Sequence, residues 1–525
     1  MQKTLAIKIF IIAGLCVIFG IGLNIFSSVI YERQSYADSV VREIAEQHVN
    51  PQEIITPFIA IPTTVTPKCA IVATEKASEC AAPYNKVETI FAAQTQSKQD
   101  LEVSTDTYKR GIYHATSYNG DIKFDQNYLL PDQENGLSLN TSNQNLAVVT
   151  TPALTNNASR VTPEQTITHW DRARLIIPVS DLRGVATLPT VTINKQAIKA
   201  TYPETPMVRG LTYVEVALPQ QVLAQLSTQS LQVNSSVNSN ALAIEENKNR
   251  QPIKIAIDLP LAGISSLNTV PTGQNFEMAM RSNWHAPNFI GKALPNTKDF
   301  SADGFEANWQ NQYLTVANTQ YLTQCLATPN NQCTVISKAT FDTNSYDYAD
   351  QAAAMAVEEA NGTVSTNVQL NSFGVSFAEP NNVYLQTERT MKYALLLILV
   401  SFATFFLFEI VKSSRIHPIQ YLLVGCALLV FYVLLLPLAE QIAFWQAYAI
   451  AASACVGLIG WYTYYVLNGL KRAAIFTTIL AGLYGAFYGI LTTEDMNLLL
   501  GAVFCFVLLA CVMVMTRKID WYKVA

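Results

Sequence analysis

The sequence predicts a membrane protein in which six transmembrane α-helices, one N-terminal and five C-terminal, flank a large β-rich domain. Three observations predict this class. Only 14% of the 525 residues are charged, against about a quarter in ordinary soluble proteins. Charged residues become rare between positions 393 and 515. Within the long segment before position 393, apolar residues recur at every second position, which is the period of half-buried strands.

Six apolar stretches are long enough to cross a bilayer. A helix rises about 1.5 Å per residue, so about 30 Å of hydrocarbon requires roughly twenty apolar residues. Each stretch is expected to be helical, because lipid offers no hydrogen-bond partner to an open backbone. The stretches lie near residues 5–30, 393–411, 419–438, 443–467, 473–491 and 497–515.

The first stretch has two interpretations, an uncleaved anchor or a cleavable signal peptide. Its apolar run is longer than the roughly 7–15 residues of a signal peptide, and no Ala-x-Ala-like cleavage site follows it. We therefore expect residues 1–30 to be an N-terminal transmembrane anchor.

Lysine and arginine residues beside the stretches predict that both termini are cytoplasmic, because cationic residues concentrate in cytoplasmic connections. With the N-terminus inside, the inner connections and the C-terminal tail contain Lys412, Arg415, Lys471, Arg472, Arg517, Lys518 and Lys523. The opposite short connections contain Glu440, Glu494 and Asp495 and neither lysine nor arginine. Residues 31–390 are then on the outer side, and residues 391–525 form a five-helix bundle with a cytoplasmic C-terminus.

The outer domain, residues 31–390, is predicted to be β-rich. One interpretation divides it into two lobes, with the boundary near 235–252. Alternating runs predict strands at 175–179, 214–216, 253–257, 276–280 and 373–377. Apolar residues four positions apart predict that the first helix continues through 36–44 until Pro51 ends it. Further helices are predicted at 219–227 and 348–360.

Four cysteines of this domain form two pairs that are close in sequence. The candidates are Cys69, Cys80, Cys325 and Cys333, in a compartment that permits disulfides. Of the three connectivities, Cys69–Cys80 and Cys325–Cys333 is favoured, because each closes a short loop. A metal site is the alternative, although no histidine lies nearby at ligand spacing. The other five cysteines lie in apolar stretches and are expected to be packing residues.

The common constellations of catalytic chemistry are missing from the sequence. It contains no phosphate-binding glycine loop, no zinc-protease motif and no serine-hydrolase elbow. No basic block suggests nucleic acid, and the net charge is only −5. The histidines are isolated, at His48, His114, His169, His285 and His417. We therefore predict no enzyme, no cofactor and no metal; a hydrolase would need His114, His169 or His285 brought together with carboxylates by folding.

One ionisable residue within a predicted span, Glu409, is the candidate for an intramembrane role. Such groups are costly in lipid and often functional. Lys412 follows three residues later, so an interfacial ion pair on one helix face is the simpler interpretation. A transporter would show deeper charges or broken helices. Gly482, Gly485 and Gly489 are predicted to form a small-residue face for packing inside the bundle.

The chain resembles the CreD family of inner-membrane proteins. The similar C-terminal segments lie at 391–398, Phe408-Glu409, 417–425, Phe431-Tyr432 and 519–522. Those in the outer domain are 58–62, Arg110-Gly-Ile-Tyr113, Asp181-Leu-Arg-Gly184, Ser282-Asn-Trp284 with Pro287, Phe289 and Gly291, then 304–309 and 373–377. The regions 69–80, 325–333 and 351–357 depart from the family pattern.

The resemblance implies a cellular setting rather than a reaction. It places the outer domain in the periplasm and implies a role in cell envelope integrity and in tolerance of envelope stress such as β-lactam exposure. The implied partners are the lipid bilayer and envelope proteins or cell-wall components. The family supplies no catalytic residues, and the sequence fixes neither a ligand nor an oligomeric state. A transporter or channel for a lipid or cell-wall intermediate is the alternative function.

Overall fold

The structure, a computed structural model, describes residues 2–67, 69–71, 82–128, 160–162, 165–208, 210–235, 252–329, 333–336, 367–377, 383–412, 417–466, 469–492 and 497–517. The chain divides into two compact units. The helical unit contains Met1–Val40, Arg110–Tyr113 and Glu379–Ala525. The β-rich unit contains Val41–Lys109 and His114–Ala378. The predicted two-lobe division near 235–252 stays a prediction, since residues 236–251 lie outside the described residues.

The helices lie close to the predicted spans. Within the described residues they are α1 (Gln2–Gln47), α2 (Gln220–Ser235), α3 (Gln312–Leu326), α4 (Val383–Lys392), α5 (Ala394–Lys412), α6 (Pro418–Ala439), α7 (Phe444–Val466), α8 (Leu470–Thr492) and α9 (Asn497–Thr516). Helix α1 runs without a break through the predicted continuation at 36–44 and ends before Pro51.

Four of the described helices are long and apolar enough to cross a membrane: Phe10–Gln47, Pro418–Ala439, Phe444–Val466 and Leu470–Leu491. A fifth span results if α4 and Ala394–Phe406, which meet at a bend of 43°, form one span. The protein is therefore a membrane protein with four to five such helices. The sixth predicted span coincides with the 20-residue helix α9, and the count of six stays a prediction.

The start of α6 shows why this helix begins where it does. A ring nitrogen of His417 accepts a hydrogen bond from the Ile419 amide at 3.3 Å. The Gln420 side chain accepts one from the His417 amide at 3.1 Å. Pro418 occupies the first helical position, where its fixed φ suits a helix and its missing N–H costs nothing. His417 and Pro418 together therefore set the first turn of α6.

Aromatic rings fill the core of the helical unit. Phe405 meets Phe476 at 4.6 Å between ring centroids, and Phe431 meets Tyr484 at 4.8 Å. The predicted small-residue face of α8 does not join this core. A Cβ added at Gly482, Gly485 or Gly489 would meet no described atom within 4 Å. The expectation of close internal packing at these glycines is therefore wrong, because the bulky residues of α8 form its buried face instead.

The β-rich unit contains the strands β1 (Gln52–Ile55), β2 (Phe58–Thr66), β3 (Cys69–Ile71), β4 (Tyr84–Ile90), β5 (Gln94–Arg110), β6 (Tyr113–Tyr128), β7 (Arg160–Thr162), β8 (Gln165–Thr168), β9 (Arg174–Pro178), β10 (Thr190–Ile193), β11 (Gln196–Thr201), β12 (Tyr213–Ala217), β13 (Ile253–Ile264), β14 (Ser266–Val270), β15 (Asn275–Ser282), β16 (Asn288–Gly291), β17 (Thr297–Ser301), β18 (Gly304–Gln310), β19 (Thr334–Ile336), β20 (Asn367–Gln369) and β21 (Phe373–Ser376). The first residue of β6 and the last of β5 belong to the helical unit. All five strand predictions are confirmed, at β9, β12, β13, β15 and β21.

Most of the described strands form one large sheet in the order β17-β18-β15-β5-β6-β13-β10-β11-β12-β9-β2-β4, with β8 beside β2. A second sheet has the order β1-β14-β21-β16. Most pairs are antiparallel, whereas β5–β15 and β1–β14 are parallel. Alternation sets the faces: along β13, Ile253, Ile255 and Ile257 are buried while the residues between them are exposed.

The core of the β-rich unit lies between the two sheets. Trp309 of β18 stacks on Phe373 of β21, with ring centroids 5.9 Å apart and planes 13° apart. Both side chains are buried. Burying such large rings removes much apolar surface from water, at roughly 25 cal/mol per Å², so this contact is one of the main links between the sheets.

Strand β5 buries a polar face. Thr95, Ser97 and Gln99 alternate inward. The Gln99 amide donates to the Thr269 hydroxyl at 3.0 Å, and the Gln126 amide donates to the Pro57 carbonyl at 2.9 Å. Because these three inward residues are hydrophilic, the apolar alternation used to find strands misses β5.

The remaining sequence predictions have separate outcomes. The helix predicted at 219–227 is α2, while the one at 348–360 lies outside the described residues. Helices α3 and α4 were not predicted; α4 is too polar to register as part of a span. Cys325 and Cys333 form the favoured disulfide, with Cα atoms 5.2 Å apart. Cys80 and the side chain of Cys69 lie outside the described residues.

Candidate functional site

An open cleft of about 740 Å³ lies in the β-rich unit. Its volume falls in the range of about 300–1,000 Å³ that is usual for ligand sites. Residues of β5, β6, β13, β15, β17 and β18 line it, together with the turn at 182–184. The charged lining residues are Asp100, Glu102, Asp121, Arg281, Asp299, Asp303 and Glu306. We call this feature the acidic cleft.

Strand alternation places the carboxylates of the acidic cleft on one face. Asp100 and Glu102 point outward from β5, with buried Leu101 between them. Asp121 points outward from the neighbouring strand β6. Gly120 lets the two strands approach closely, because a Cβ there would come within 2.6 Å of the Leu101 side chain. The result is a wall of polar side chains above an apolar core.

The cation in the cleft lining is already paired. Arg281 meets Glu306 across β15 and β18, with Nε 3.0 Å from Oε2 and a terminal guanidinium nitrogen 3.2 Å from Oε1. Hydrogen bonding to Glu306 raises the pKa of Arg281. With this charge engaged, the other carboxylates give the acidic cleft a negative potential, which favours cationic ligands and hydrogen-bond donors.

The amide side chain of Asn283 fastens one end of the acidic cleft. Its oxygen accepts from the Val103 amide at 2.8 Å, and its nitrogen donates to the Val103 carbonyl at 3.1 Å. Asn283 thereby joins the end of β15 to β5. Nearby, Gly304 has φ of +131°, and a Cβ there would lie 1.9 Å from the Ser282 carbonyl oxygen. Only glycine fits this turn.

The turn at 182–184 borders the acidic cleft and holds the end of α1. The Asp181 carboxylate accepts from the Asn50 amide at 3.0 Å and from the Arg183 side chain. Arg183 also donates to the Glu46 carbonyl in the last turn of α1. Gly184 has no room for a side chain, since a Cβ would lie 2.3 Å from the Ala262 carbonyl oxygen. We call these contacts the α1 clamp.

The charge balance of the α1 clamp appears in the pKa of Asp181. Partial burial raises this pKa, but hydrogen bonds from Arg183 and the Asn50 amide outweigh burial and lower it below its ordinary value. The Asp181 carboxylate is therefore ionised in the folded protein at neutral pH.

The described histidines have separate neighbours. His114 interacts electrostatically with Asp106. His169 Nε2 lies 3.0 Å from the Thr64 hydroxyl, and His285 Nε2 lies 2.9 Å from the Ala302 carbonyl. The ring of His48 lies 4.5 Å from that of Tyr108 between centroids, tilted by 31°. No histidine lines the acidic cleft. Among the described residues, no group of three or more His, Cys, Asp or Glu side chains is arranged to hold a metal ion.

The other sequence candidates lie away from the acidic cleft. Glu409 belongs to α5, and its side chain is outside the described residues, so its pairing with Lys412 stays a prediction. Glu440 follows the last residue of α6 and accepts a hydrogen bond from the Tyr384 hydroxyl at 3.1 Å. Sequence reasoning missed the cleft carboxylates because they come from distant strands and share no local spacing.

Residues 4–522 match the family model described as inner membrane protein CreD. The chain belongs to the CreD family. This CreD-family chain is 28% identical over 509 residues to inner membrane protein CreD of Escherichia coli K12. The aligned region covers 97% of this chain and 92% of the E. coli protein. The expected resemblance is confirmed.

Segments that carry the CreD resemblance contribute to the acidic cleft. Gly184 comes from the segment 181–184, and Ser282 and Asn283 come from 282–284. Gly304, Phe305 and Glu306 open the segment 304–309. Three of the CreD-like segments of the β-rich unit thus meet at one place in the fold.

Among solved structures, an M1 zinc metallopeptidase from Deinococcus radiodurans matches 42% of this chain and 40% of its own length, with 8% identity and a TM-score of 0.17. A mutant of this enzyme bound to a Tyr-Ser-Ala substrate covers 78% of this chain and 90% of its own length, with 10% identity and a TM-score of 0.18. Scores this low carry no argument about fold or function.

Proposed function

We propose that this inner membrane protein contributes to cell envelope integrity and envelope-stress tolerance by binding an envelope component in the acidic cleft. The observation that carries the proposal is the cleft itself, a ligand-sized opening whose lining includes residues of three segments that resemble the family pattern. Its ligand presents cationic or hydrogen-bond-donating groups, because most of the lining carboxylates lack a cationic neighbour in the lining. The role is binding rather than catalysis.

We propose further that the protein spans the membrane six times, with both termini in the cytoplasm and the β-rich unit in the periplasm. The helix α9 supplies the sixth span. Support comes from the helix ends, since Lys412 ends α5, Lys471 and Arg472 open α8, and Arg517 follows α9. By the positive-inside rule these ends are cytoplasmic.

Thiol labelling of intact spheroplasts tests this orientation. Lys298 lies on the exposed edge strand β17, so Lys298→Cys should react with a membrane-impermeant maleimide before lysis. Arg517→Cys, on the exposed residue after α9, should react only after lysis. The reversed pattern would place the β-rich unit in the cytoplasm and remove the basis for a periplasmic role.

Complementation of a deletion strain tests the binding role. The deletion should increase sensitivity to detergents and β-lactams, and the wild-type gene should restore tolerance. The double variant Glu102→Gln, Asp121→Asn keeps the size of two cleft side chains but removes their charge, so it should fail to restore tolerance. Asp258→Asn removes an exposed carboxylate of β13 outside the cleft lining and should restore it fully.

Two results would count against the proposal. Unchanged sensitivity of the deletion strain to every agent would reject the envelope role. Full rescue by the double variant would reject the acidic cleft as the binding site while leaving the envelope role standing.

One observation favours a transporter or channel as a second candidate. The 43° bend between α4 and α5 is the kind of broken helix found at transporter substrate sites. Flux of a lipid or cell-wall intermediate into proteoliposomes, abolished by Glu409→Gln, would support this candidate. Flux that Glu409→Gln leaves unchanged would exclude the proposed role of this carboxylate.

A further inference from the structure

Strand β17 is an open edge of the large sheet. In the described part of the chain it pairs with β18 alone, and every side chain of Thr297–Ser301 is exposed. The strand at the other end of the sheet, β4, packs against α3, where Val87 and Leu322 join one buried cluster. An edge strand presents backbone N–H and C=O groups that a further strand can pair with. The edge of β17 is therefore available to a strand from another molecule.

The pairing of β17 with β18 shows which backbone groups face outward. Ser301 and Gly304 flank a two-residue turn, so these two residues form a hydrogen-bonded pair. Hydrogen-bonded pairs alternate along an antiparallel ladder, and Asp299 is therefore also bonded to β18. By the same alternation, the N–H and C=O groups of Lys298 and Phe300 point away from β18, toward the open edge.

The two faces of β17 differ in chemistry. Asp299 and Ser301 line the acidic cleft. Phe300 points to the opposite face, where its ring centroid lies 6.5 Å from that of Phe289. Phe289 in turn lies 5.6 Å from the ring of buried Trp309. Phe300 nevertheless remains 52% exposed, so a strand added to β17 would meet carboxylates on one face and an uncovered phenyl ring on the other.

We propose that the open edge of β17 binds an extended cationic polypeptide segment, which adds an antiparallel strand to the sheet. The residues of this segment alternate in character. Its cationic side chains lie on the cleft face beside Asp299, and its apolar side chains pack against Phe300. The inference names the ligand class of the acidic cleft, and in that respect it rests on the proposed function.

Charge argues against a second copy of this chain as the added strand. The lining of each cleft contains six carboxylates and a single arginine, Arg281, which is paired with Glu306. Two β17 edges side by side would bring two such linings together, and like charges at short range repel. A cationic segment instead neutralises the carboxylates. Its binding should therefore weaken as salt is added.

Fluorescence anisotropy with the full-length protein in phosphatidylcholine nanodiscs tests the edge directly. The probe is a labelled peptide of about seven residues that alternates lysine and valine, long enough to cover β17. A peptide of the same composition, with its lysines and valines in separate blocks, should bind about tenfold more weakly because its side chains cannot match the two faces. Equal affinities for the two peptides would overturn the proposed alternation. Binding to empty nanodiscs is subtracted.

Removing backbone donors from the peptide separates strand addition from charge attraction. In an antiparallel pair the valine amides face β17 and the lysine amides face solvent, because cross-strand neighbours share a face. N-methylation of the central valine amides should weaken binding about tenfold. N-methylation of the central lysine amides is the matched control and should leave the affinity within about twofold. Equal affinities for the two methylated peptides would overturn strand addition.

A pair of variants tests the same edge from the protein side. Lys298→Pro removes an outward N–H and leaves the bonds to β18 in place, since an edge strand tolerates proline where its N–H faces solvent. Lys298→Ala loses the same cationic side chain but keeps the N–H. The proline variant should bind the alternating peptide about fivefold more weakly than the alanine variant. Equal binding by the two variants would reject the edge of β17 as the docking site.

Complementation of the deletion strain separates this inference from the proposed function. Edge-dependent peptide binding, together with full rescue by Glu102→Gln, Asp121→Asn, would reject the proposed function and keep the edge site. Peptide binding that ignores both methylation and Lys298→Pro, together with failed rescue by that double variant, would reject the edge site and keep the acidic cleft. Light scattering that shows a dimer of the wild type and a monomer of Lys298→Pro, without peptide binding, would assign the edge to a second copy and overturn the cationic partner.

Discussion

Removing the covalent link between Cys325 and Cys333 should destabilise the β-rich unit by a predictable amount. The bond joins residues 8 apart in sequence. Closing a loop of about 9 residues in the unfolded chain is worth about 2.5 kcal/mol at 25 °C in the chain-entropy model. That energy is about a 60-fold change in the unfolding equilibrium, at about 1.4 kcal/mol per factor of ten.

The location of the disulfide supports this figure. Cys325 lies in the last turn of α3, and Cys333 directly precedes β19. Both side chains are buried beside Leu322 and Val335. The bond therefore fixes the helix against the small β19–β20 sheet. In the double variant Cys325→Ala, Cys333→Ala, only the link and two sulfur atoms are lost from this cluster.

Urea titration followed by pulse proteolysis of the full-length protein measures the effect. The double variant should become protease-sensitive at a lower urea concentration than the wild type, and Cys426→Ala, at an exposed free thiol in α6, should match the wild type. Dithiothreitol should lower the wild-type midpoint much more than that of the double variant. A remaining response in the double variant would report a bond between Cys69 and Cys80. Equal midpoints for wild type and double variant would refute the loop-entropy reasoning.

Three further changes have defined outcomes. Arg183→Met should cost about 1 kcal/mol at pH 7. Because the folded pKa of Asp181 is lowered, this stabilisation is complete above the ordinary pKa and is lost as the pH falls through the lowered, folded pKa. The urea midpoints of wild type and variant should therefore converge below about pH 4, and a gap that stays constant with pH would contradict this. Gly304→Ala should cost about 1–3 kcal/mol of stability from its φ of +131° alone. The loss should appear as a lower melting temperature, with Ala302→Gly in the same turn as control. An unchanged melting temperature would show that the turn relaxes. Trp309→Ala should cost about 3–5 kcal/mol by urea titration. Trp309→Phe should cost far less, since the buried indole N–H has no hydrogen-bond partner among the described residues; equal losses would show that the N–H matters.

Strong local periodicity explains which sequence predictions succeeded. The alternation of Ile253, Ile255 and Ile257 required a strand whatever its neighbours, and the structure has β13 there. The start of α6 is also set locally, because His417 caps the helix and Pro418 occupies its first position. Strand β5 was missed because the buried residues of its first half, Thr95, Ser97 and Gln99, are hydrophilic. Their burial depends on partners such as Thr269, 170 residues away from Gln99.

The candidate site was less accessible to sequence reasoning than the fold. The acidic cleft joins Asp100 and Asp121 to Asp299 and Glu306, and no local spacing relates these positions. The small-residue face of α8 failed for the opposite reason. Gly485 and Gly489 permit close packing, but a permissive surface does not specify which helix will use it.

The sequence by itself determined the membrane class, most of the apolar helices, the strands with apolar alternation, the disulfide between Cys325 and Cys333 and the family. These follow from hydrophobic run length, period and short-range spacing, all of which act over a few residues. Only the tertiary structure decided that β5 and β6 border a cleft together with β15, β17 and β18, and that Asp181 and Arg183 hold the end of α1. Those features arise from contacts between residues far apart in the chain, whose partners are chosen by the packing of whole sheets and helices.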